Sequence, residues 1–194
     1  MPREAPQNPS SRSPATQARA RGGRGTGSRL GDLTRDWGTS AAISLYLERC
    51  QVATPERLVE AAWRHVTDAR SVIGKVVDFG AGDGRFSRFG RYEHYLGYKI
   101  DDAAFEHAVV PKRARLLNQC AFWDEINDAD VCVGNPPFVR NQDLPRGWRE
   151  RASSVLRRRT GVSLSGLANA WQYFFLLGLA STKSDGLCDP PRLS

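Results

Sequence analysis

Asp130-Val131-Cys132-Val133-Gly134-Asn135-Pro136-Pro137-Phe138 is the stretch that decides the fold. The run from Asp130 to Gly134 is apolar and of strand length, and reads as a short buried strand. Two prolines then end the ladder, because neither can donate a backbone N–H. The stop leaves the Asn135 amide, the Pro136 carbonyl and the Phe138 ring at the strand's end. In an open α/β sheet that end is where ligands sit. An amide oxygen and a carbonyl can accept two hydrogen bonds from one –NH2 group, while an aromatic ring stacks on a planar partner. Asn beside Pro is also a common loop pair, so the tetrapeptide alone does not separate a site from a turn.

Upstream, residues 72–79 (Val-Ile-Gly-Lys-Val-Val-Asp-Phe) read as a second buried strand, leading into Gly80-Ala81-Gly82-Asp83-Gly84-Arg85-Phe86-Ser87. A strand, a glycine turn and a helix start let backbone approach a nucleotide-like ligand closely. Alternating glycines describe any tight turn equally well, and Asp78 is what raises the specificity. A carboxylate there repels a pyrophosphate but can hold a cationic amino acid group, which points away from NAD and towards S-adenosylmethionine. Residues 95–100 read as the next strand, closed by Asp101-Asp102. An acid about twenty residues beyond the glycines is placed to accept from a ribose hydroxyl. A helix over 103–109, stopped by Pro111, and a short strand over 115–118 precede Cys120-Ala121-Phe122-Trp123-Asp124. The alternation predicts a parallel α/β sheet with right-handed crossovers.

Ahead of these strands, helical spacing covers 41–50, and Thr54-Pro55-Glu56 opens a helix to residue 66. Thr54 suits the N-cap, Pro55 the first helical position and Glu56 the first turn, and capping alone accounts for Thr54. Beyond the central motif, Arg140, Arg146, Arg149, Arg151, Arg157, Arg158 and Arg159 gather in and around a helix over 146–160. Such a cluster suits phosphates and equally suits a solvated face. Residues 165–181 read as a helix with Trp171, Phe174, Phe175 and Leu179 against the sheet. Residues 183–188 read as a turn into a further strand. That strand meets Asp189-Pro190-Pro191, and two prolines cannot sit inside a central strand, so 189–194 is an aberrant end.

The 194 residues are enough for one domain with a core. Residues 1–31 set six arginines (Arg3, Arg12, Arg19, Arg21, Arg24, Arg29) against Glu4 among Pro, Ser and Gly, and are expected to be disordered. Arg21-Gly22-Gly23-Arg24-Gly25 suits a loose phosphate-binding arm as well as a solvated tail. The net charge of +7 permits a polyanionic partner. Cys50, Cys120, Cys132 and Cys188 form no Cys-x-x-Cys pair, and three His accompany them. This argues against a zinc site or disulfide frame and fits a reducing, cytoplasmic setting. The N-terminus shows no apolar run of the signal-peptide kind, and the apolar stretch at 171–180 is short of the ~20 residues that span a bilayer.

Thr54-Pro55, Asp78-Phe79-Gly80-Ala81-Gly82-Asp83-Gly84 and Asn135-Pro136-Pro137-Phe138, in that order, resemble the N6-adenine DNA methyltransferases. The order is that of the gamma-type enzymes of restriction–modification systems. Glutamine methyltransferases acting on release factors and guanine-N2 methyltransferases acting on ribosomal RNA carry similar motifs. The resemblance makes 32–188 a partial methyltransferase domain. It implies a Rossmann-like, mostly parallel sheet of seven strands, of which the first four are legible here. It further implies S-adenosylmethionine held by Thr54 and by Asp78, Phe79, Gly80, Ala81, Gly82 and Gly84. Asp101 would take the ribose, with Ala121 and Phe122 at the adenine end. Asn135 and the Pro136 carbonyl would accept from adenine N6, with Pro137 completing the motif and Phe138 stacking on a flipped base.

Three departures from the family pattern stand out. Lys99 occupies a position where the family carries a ribose-gripping acid, and a lysine cannot accept a hydrogen bond. An acid expected near Cys120 is absent, Asp124 being the nearest. The later strands and a target-recognition domain are not visible. The strand 130–134 is therefore expected to leave an apolar, aggregation-prone edge. Two expectations follow: either a partner chain supplies the remaining strands around a DNA substrate, or the chain is an inactive remnant.

Overall fold

The computed structural model describes residues 52–145 and 147–189. The basic tail over 1–31, the helix expected over 41–50, Cys50, Arg146 and residues 190–194 lie outside the described residues. The elements run α1 (Glu56–Ala69), β1 (Lys75–Asp78), β2 (His94–Lys99), α2 (Asp102–Glu106), β3 (Ala114–Asn118), β4 (Ala129–Val133), α3 (Trp148–Thr160), α4 (Ala170–Ser181) and β5 (Thr182–Asp189).

The strands form one sheet in the order β3-β2-β1-β4-β5, and every neighbouring pair is parallel. The chain starts at the centre, walks out through β2 to β3, then returns to the other side of β1. The strand order therefore reverses between β1 and β4, where α/β sheets open a crevice. Successive side chains of a strand point to opposite faces. Val76, Tyr95 and Val131 pack with Val59, Trp63 and Val66 of α1. Val77, Tyr98 and Cys132 pack with Leu156 of α3 and with Tyr173, Phe174 and Leu177 of α4 on the other face. Two buried faces explain why these strands are near-continuously apolar.

Several expectations are corrected. Thr54 is not the cap of α1: Pro55, with ψ 140°, holds the N-cap position, no side chain caps, and the helix runs on to Ala69. No α-helix follows the glycine turn, which leads instead into a single 3-10 turn over Arg85–Arg88. The helix after Asp101 is short, Asp102–Glu106. Helix α3 begins at Trp148 rather than 146. Helix α4 begins at Ala170, because the Asn169 N–H donates to Gln172 Oε1 at 2.8 Å and its Oδ1 accepts from the Asn141 N–H at 2.8 Å. Trp171 is 40% exposed and Leu179 49%, so neither is core.

The largest correction is β5. Residues 182–189 are a fifth parallel strand, so β4 is not an open edge. The ladder starts with Ala129 opposite Thr182 and resumes with Val131 opposite Leu187, so residues 183–186 bulge outward. This bulge made the segment read as a turn. Buried Asp130 anchors it. Its Oδ2 accepts from the Gly74 and Lys75 amides at 2.9 and 2.8 Å, and its Oδ1 from Lys183 Nζ at 2.8 Å and Arg70 at 3.1 Å.

Candidate active site

A cavity of about 280 Å3 opens at the C-terminal ends of β1, β2, β3 and β4, on the switch point. Its wall after β1 is Phe79, Gly80, Ala81 and Gly82. A Cβ on Gly80 would lie 2.8 Å from the Asn135 carbonyl oxygen, so glycine is what lets the two loops touch. Beneath them lies Asp78, fully buried. Its Oδ1 accepts from the Gly80 N–H at 2.9 Å and its Oδ2 from the Tyr95 hydroxyl at 2.6 Å. Burial pushes the Asp78 carboxyl up to about 6, against the lowering effect of these bonds and of the Lys99 charge. Asp78 does not line the cavity. It shapes the loop above it rather than offering its carboxylate to a ligand.

Gly84 also sits behind the wall, where an added Cβ would run into Val110. Between them Asp83 lines the cavity and grips Arg85, through Oδ1 to Nε at 2.9 Å and Oδ2 to Nη2 at 3.1 Å. Arg85 Nη1 in turn donates to the Thr54 carbonyl, which fixes Thr54 in the cavity wall. Burial raises the Asp83 carboxyl, and the Arg85 contacts outweigh it to hold the group below the usual carboxylate range. This Asp83–Arg85–Thr54 latch joins residues 31 positions apart and has no local sequence signal.

Lys99 ends β2 in the cavity wall, 8% exposed. Desolvation lowers its pKa, while Asp101, Asp83 and Asp78 oppose that shift. Asp101 itself is half-buried and outside the lining. After β3, Gln119, Cys120 and Ala121 form the wall. Phe122 lies behind it in the core, its ring 5.3 Å from Trp148 and 5.0 Å from Phe174. Asp124 is outside the lining of this cavity, and its Oδ2 accepts from the Tyr98 hydroxyl at 2.7 Å and from Gln119 Nε2 at 3.2 Å.

After β4, Asn135, Pro136 and Pro137 complete the wall. Asn135 Oδ1 is buried and accepts no hydrogen bond among the described residues. Phe138 is half-buried and outside the lining, and the aromatic residues of the wall are Phe79, Phe86, Tyr98, Trp148 and Phe174 instead. The sequence reads Phe174 only as a packing residue and gives no role to Trp148. Among the described residues no group of three or more His, Cys, Asp or Glu is arranged for a metal, and no helix is long and apolar enough to cross a membrane.

No family model matches the chain, and the curated proteins give no match. Solved structures do. The methyltransferase subunit of a type I restriction-modification system from Streptococcus thermophilus matches with a TM-score of 0.51 at 18% identity, over 71% of this chain and 33% of that one. A Pyrococcus horikoshii protein assigned as an RNA methyltransferase matches with a TM-score of 0.50 at 16% identity, over 79% of this chain and 70% of that one. This chain thus spans a third of the first neighbour's length. The likeness, with the strand order β3-β2-β1-β4-β5, gives the chain the Rossmann-like α/β fold that these two methyltransferases share.

Proposed function

We propose that the chain transfers the methyl group of S-adenosylmethionine to the N6 amino group of adenine in DNA. One observation carries the reading: Asn135 Oδ1 is a buried acceptor without a donor, in the cavity wall beside Pro136. A buried acceptor left unpaired costs about 1–3 kcal/mol, and a ligand amino group would satisfy it.

S-adenosylmethionine supplies a methyl already activated on a sulfonium. Thr54, Phe79, Gly80, Ala81 and Gly82 would hold its methionine part, with Asp78 and Gly84 supporting them from behind. Asp101 would face the ribose, and Ala121, backed by Phe122, the adenine end. The chain's own contribution is at the acceptor. Adenine N6 is a weak nucleophile because its lone pair is delocalised into the ring. Asn135 Oδ1 and the Pro136 carbonyl would draw on its two hydrogens, localising that lone pair and compensating the charge that develops. Held between them, N6 gains the positioning advantage of a bound neighbour. A base cannot reach such a cavity from inside a duplex and must be extruded. Phe138 would stack on it, with Pro137 shaping the approach.

Asn135→Ala should cut methyl transfer to DNA by about 10²–10³-fold, the scale of losing one such hydrogen-bond partner. Calorimetric affinity for S-adenosylmethionine should stay within about twofold, since Asn135 serves the acceptor. An equal loss of cofactor affinity, or transfer at the wild-type rate, overturns the assignment. A second reading, a non-catalytic chain, is favoured by Lys99: an ammonium, not a carboxylate, stands at the ribose end of the wall. Absence of saturable S-adenosylmethionine binding to the wild-type chain decides for it.

A further inference from the structure

A second cavity, of about 590 Å3, lies between the 122–127 turn and α3. Trp123, Arg151, Arg158 and Arg159 line it, with Asp124 and Glu125 as the acids. Two of its donors are buried without a hydrogen-bond partner: Trp123 Nε1 and Arg159 Nη1. Arg159 Nη2 is already committed to the Ile126 and Ala180 carbonyls, which fixes the guanidinium and leaves Nη1 over. Arg158 donates to Ser154 Oγ at 3.1 Å, and no hydrogen bond or ion pair holds the Arg151 side chain among the described residues. Helix α3 carries five arginines against Glu150, and no salt bridge forms to any of them among the described residues. Of the two acids, Asp124 is taken up by Tyr98 and Gln119. Glu125 is exposed.

The two cavities are lined by neighbouring residues of the same elements. Ala121 lines the first and Phe122 the second; Trp148 lines the first and Arg151, one turn on, the second. Arg158 is ten residues from Trp148, about 15 Å along the helix. That is a span of a few nucleotides. Arginine forks with spare N–H groups match phosphate oxygens, and an indole N–H donates to the same kind of acceptor.

We infer that this second cavity binds backbone phosphates of the polynucleotide whose base enters the first. The inference rests on the acceptor being a nucleic acid, and deepens that reading by giving the strand its path along α3.

The test uses the full chain and a fluorescein-labelled 24-nucleotide DNA, as single strand and as duplex, with anisotropy read across a salt series. Arg151 and Arg158 are exposed, so Arg151→Ala/Arg158→Ala should leave folding and S-adenosylmethionine affinity unchanged. It should weaken DNA binding about tenfold and reduce the slope of log Kd against log salt by about 2. Arg57→Ala/Arg64→Ala removes the same charge from α1, on the opposite sheet face, and should change neither by more than about twofold. Trp123→Phe keeps an aromatic ring, removes the N–H and should weaken DNA binding several-fold. Equal effects of the two arginine pairs overturn the inference, reducing it to net charge. So does DNA binding by the wild type that the α3 pair leaves unchanged. Stabilisation of the wild type by inorganic phosphate, without DNA binding, also overturns it and leaves a small-anion site. Failure of methyl transfer with the binding pattern intact counts against the catalytic reading alone.

Discussion

Tyr95 donates its hydroxyl to the Asp78 carboxylate at 2.6 Å, fully buried under the loop that links Gly134 to Asn135. Desolvation is the largest influence on that carboxyl and raises it to about 6, so the fold favours its protonated form. The stability associated with Asp78 is therefore complete below about pH 4 and is lost as pH rises through about 6. Asp78→Asn keeps an acceptor for Gly80 and removes the charge. Urea unfolding should show it more stable than wild type by about 2–3 kcal/mol at pH 7.5 and little changed at about pH 3.5. An equal effect at both pH values would show that folding does not raise the Asp78 carboxyl above its ordinary value.

Gly134 has φ +137°, and a Cβ there would fall on the same carboxylate. Gly134→Ala combines backbone strain with overpacking and should cost about 3–5 kcal/mol in chemical denaturation. Adding Asp78→Ala should recover part of that loss, because the two residues share one space. Strict additivity of the two changes would refute the clash.

Asp130 has the opposite pH sign. Burial raises its carboxyl, but Lys183 and the Lys75 and Gly74 amides outweigh this and hold it below the ordinary value. Its contribution is present above about pH 4 and is lost as pH falls through the lowered folded value. Asp130→Ala leaves two backbone N–H groups without their acceptor and frees the 183–186 bulge. A loss of about 2–4 kcal/mol is expected at pH 7, with amide exchange rising first in β5. Uniform loss of protection across all five strands would contradict this local role.

Lys99→Glu restores an acceptor at the end of β2 but adds a carboxylate near Asp78, Asp83 and Asp101. The variant should melt earlier than wild type without ligand and bind S-adenosylmethionine several-fold more tightly by calorimetry. Weaker binding would mean that Lys99 itself supports the ligand.

The fold was legible wherever both faces of a strand are buried. Val76-Val77 and Val131-Cys132-Val133 announce themselves by composition, and the prolines after Asn135 mark the end of β4. The fifth strand was legible only as a turn into a further strand over 183–188, because Lys183-Ser184-Asp185-Gly186 has turn composition and is carried into the sheet by Asp130, more than fifty residues earlier. Asn135, Pro136, Gly80 and Ala81 fell where the sequence placed them. Arg85 did not, since its partner Thr54 lies across the fold, and Phe174 and Trp148 look the same in sequence whether they wall a cavity or fill a core.

The strand-order reversal has a mechanical side. The glycine loop belongs to the half-sheet β1–β3 and the Asn-Pro-Pro loop to the half-sheet β4–β5. The halves pair through Val76 with Val131 and Val77 with Cys132, a much shorter zipper than the five-pair ladder of β2 with β3. A ligand touching both Gly80 and Asn135 bridges that seam at its open end. On the proposed reading, cofactor and acceptor would act as rivets, and the chain would be stiffest with both bound.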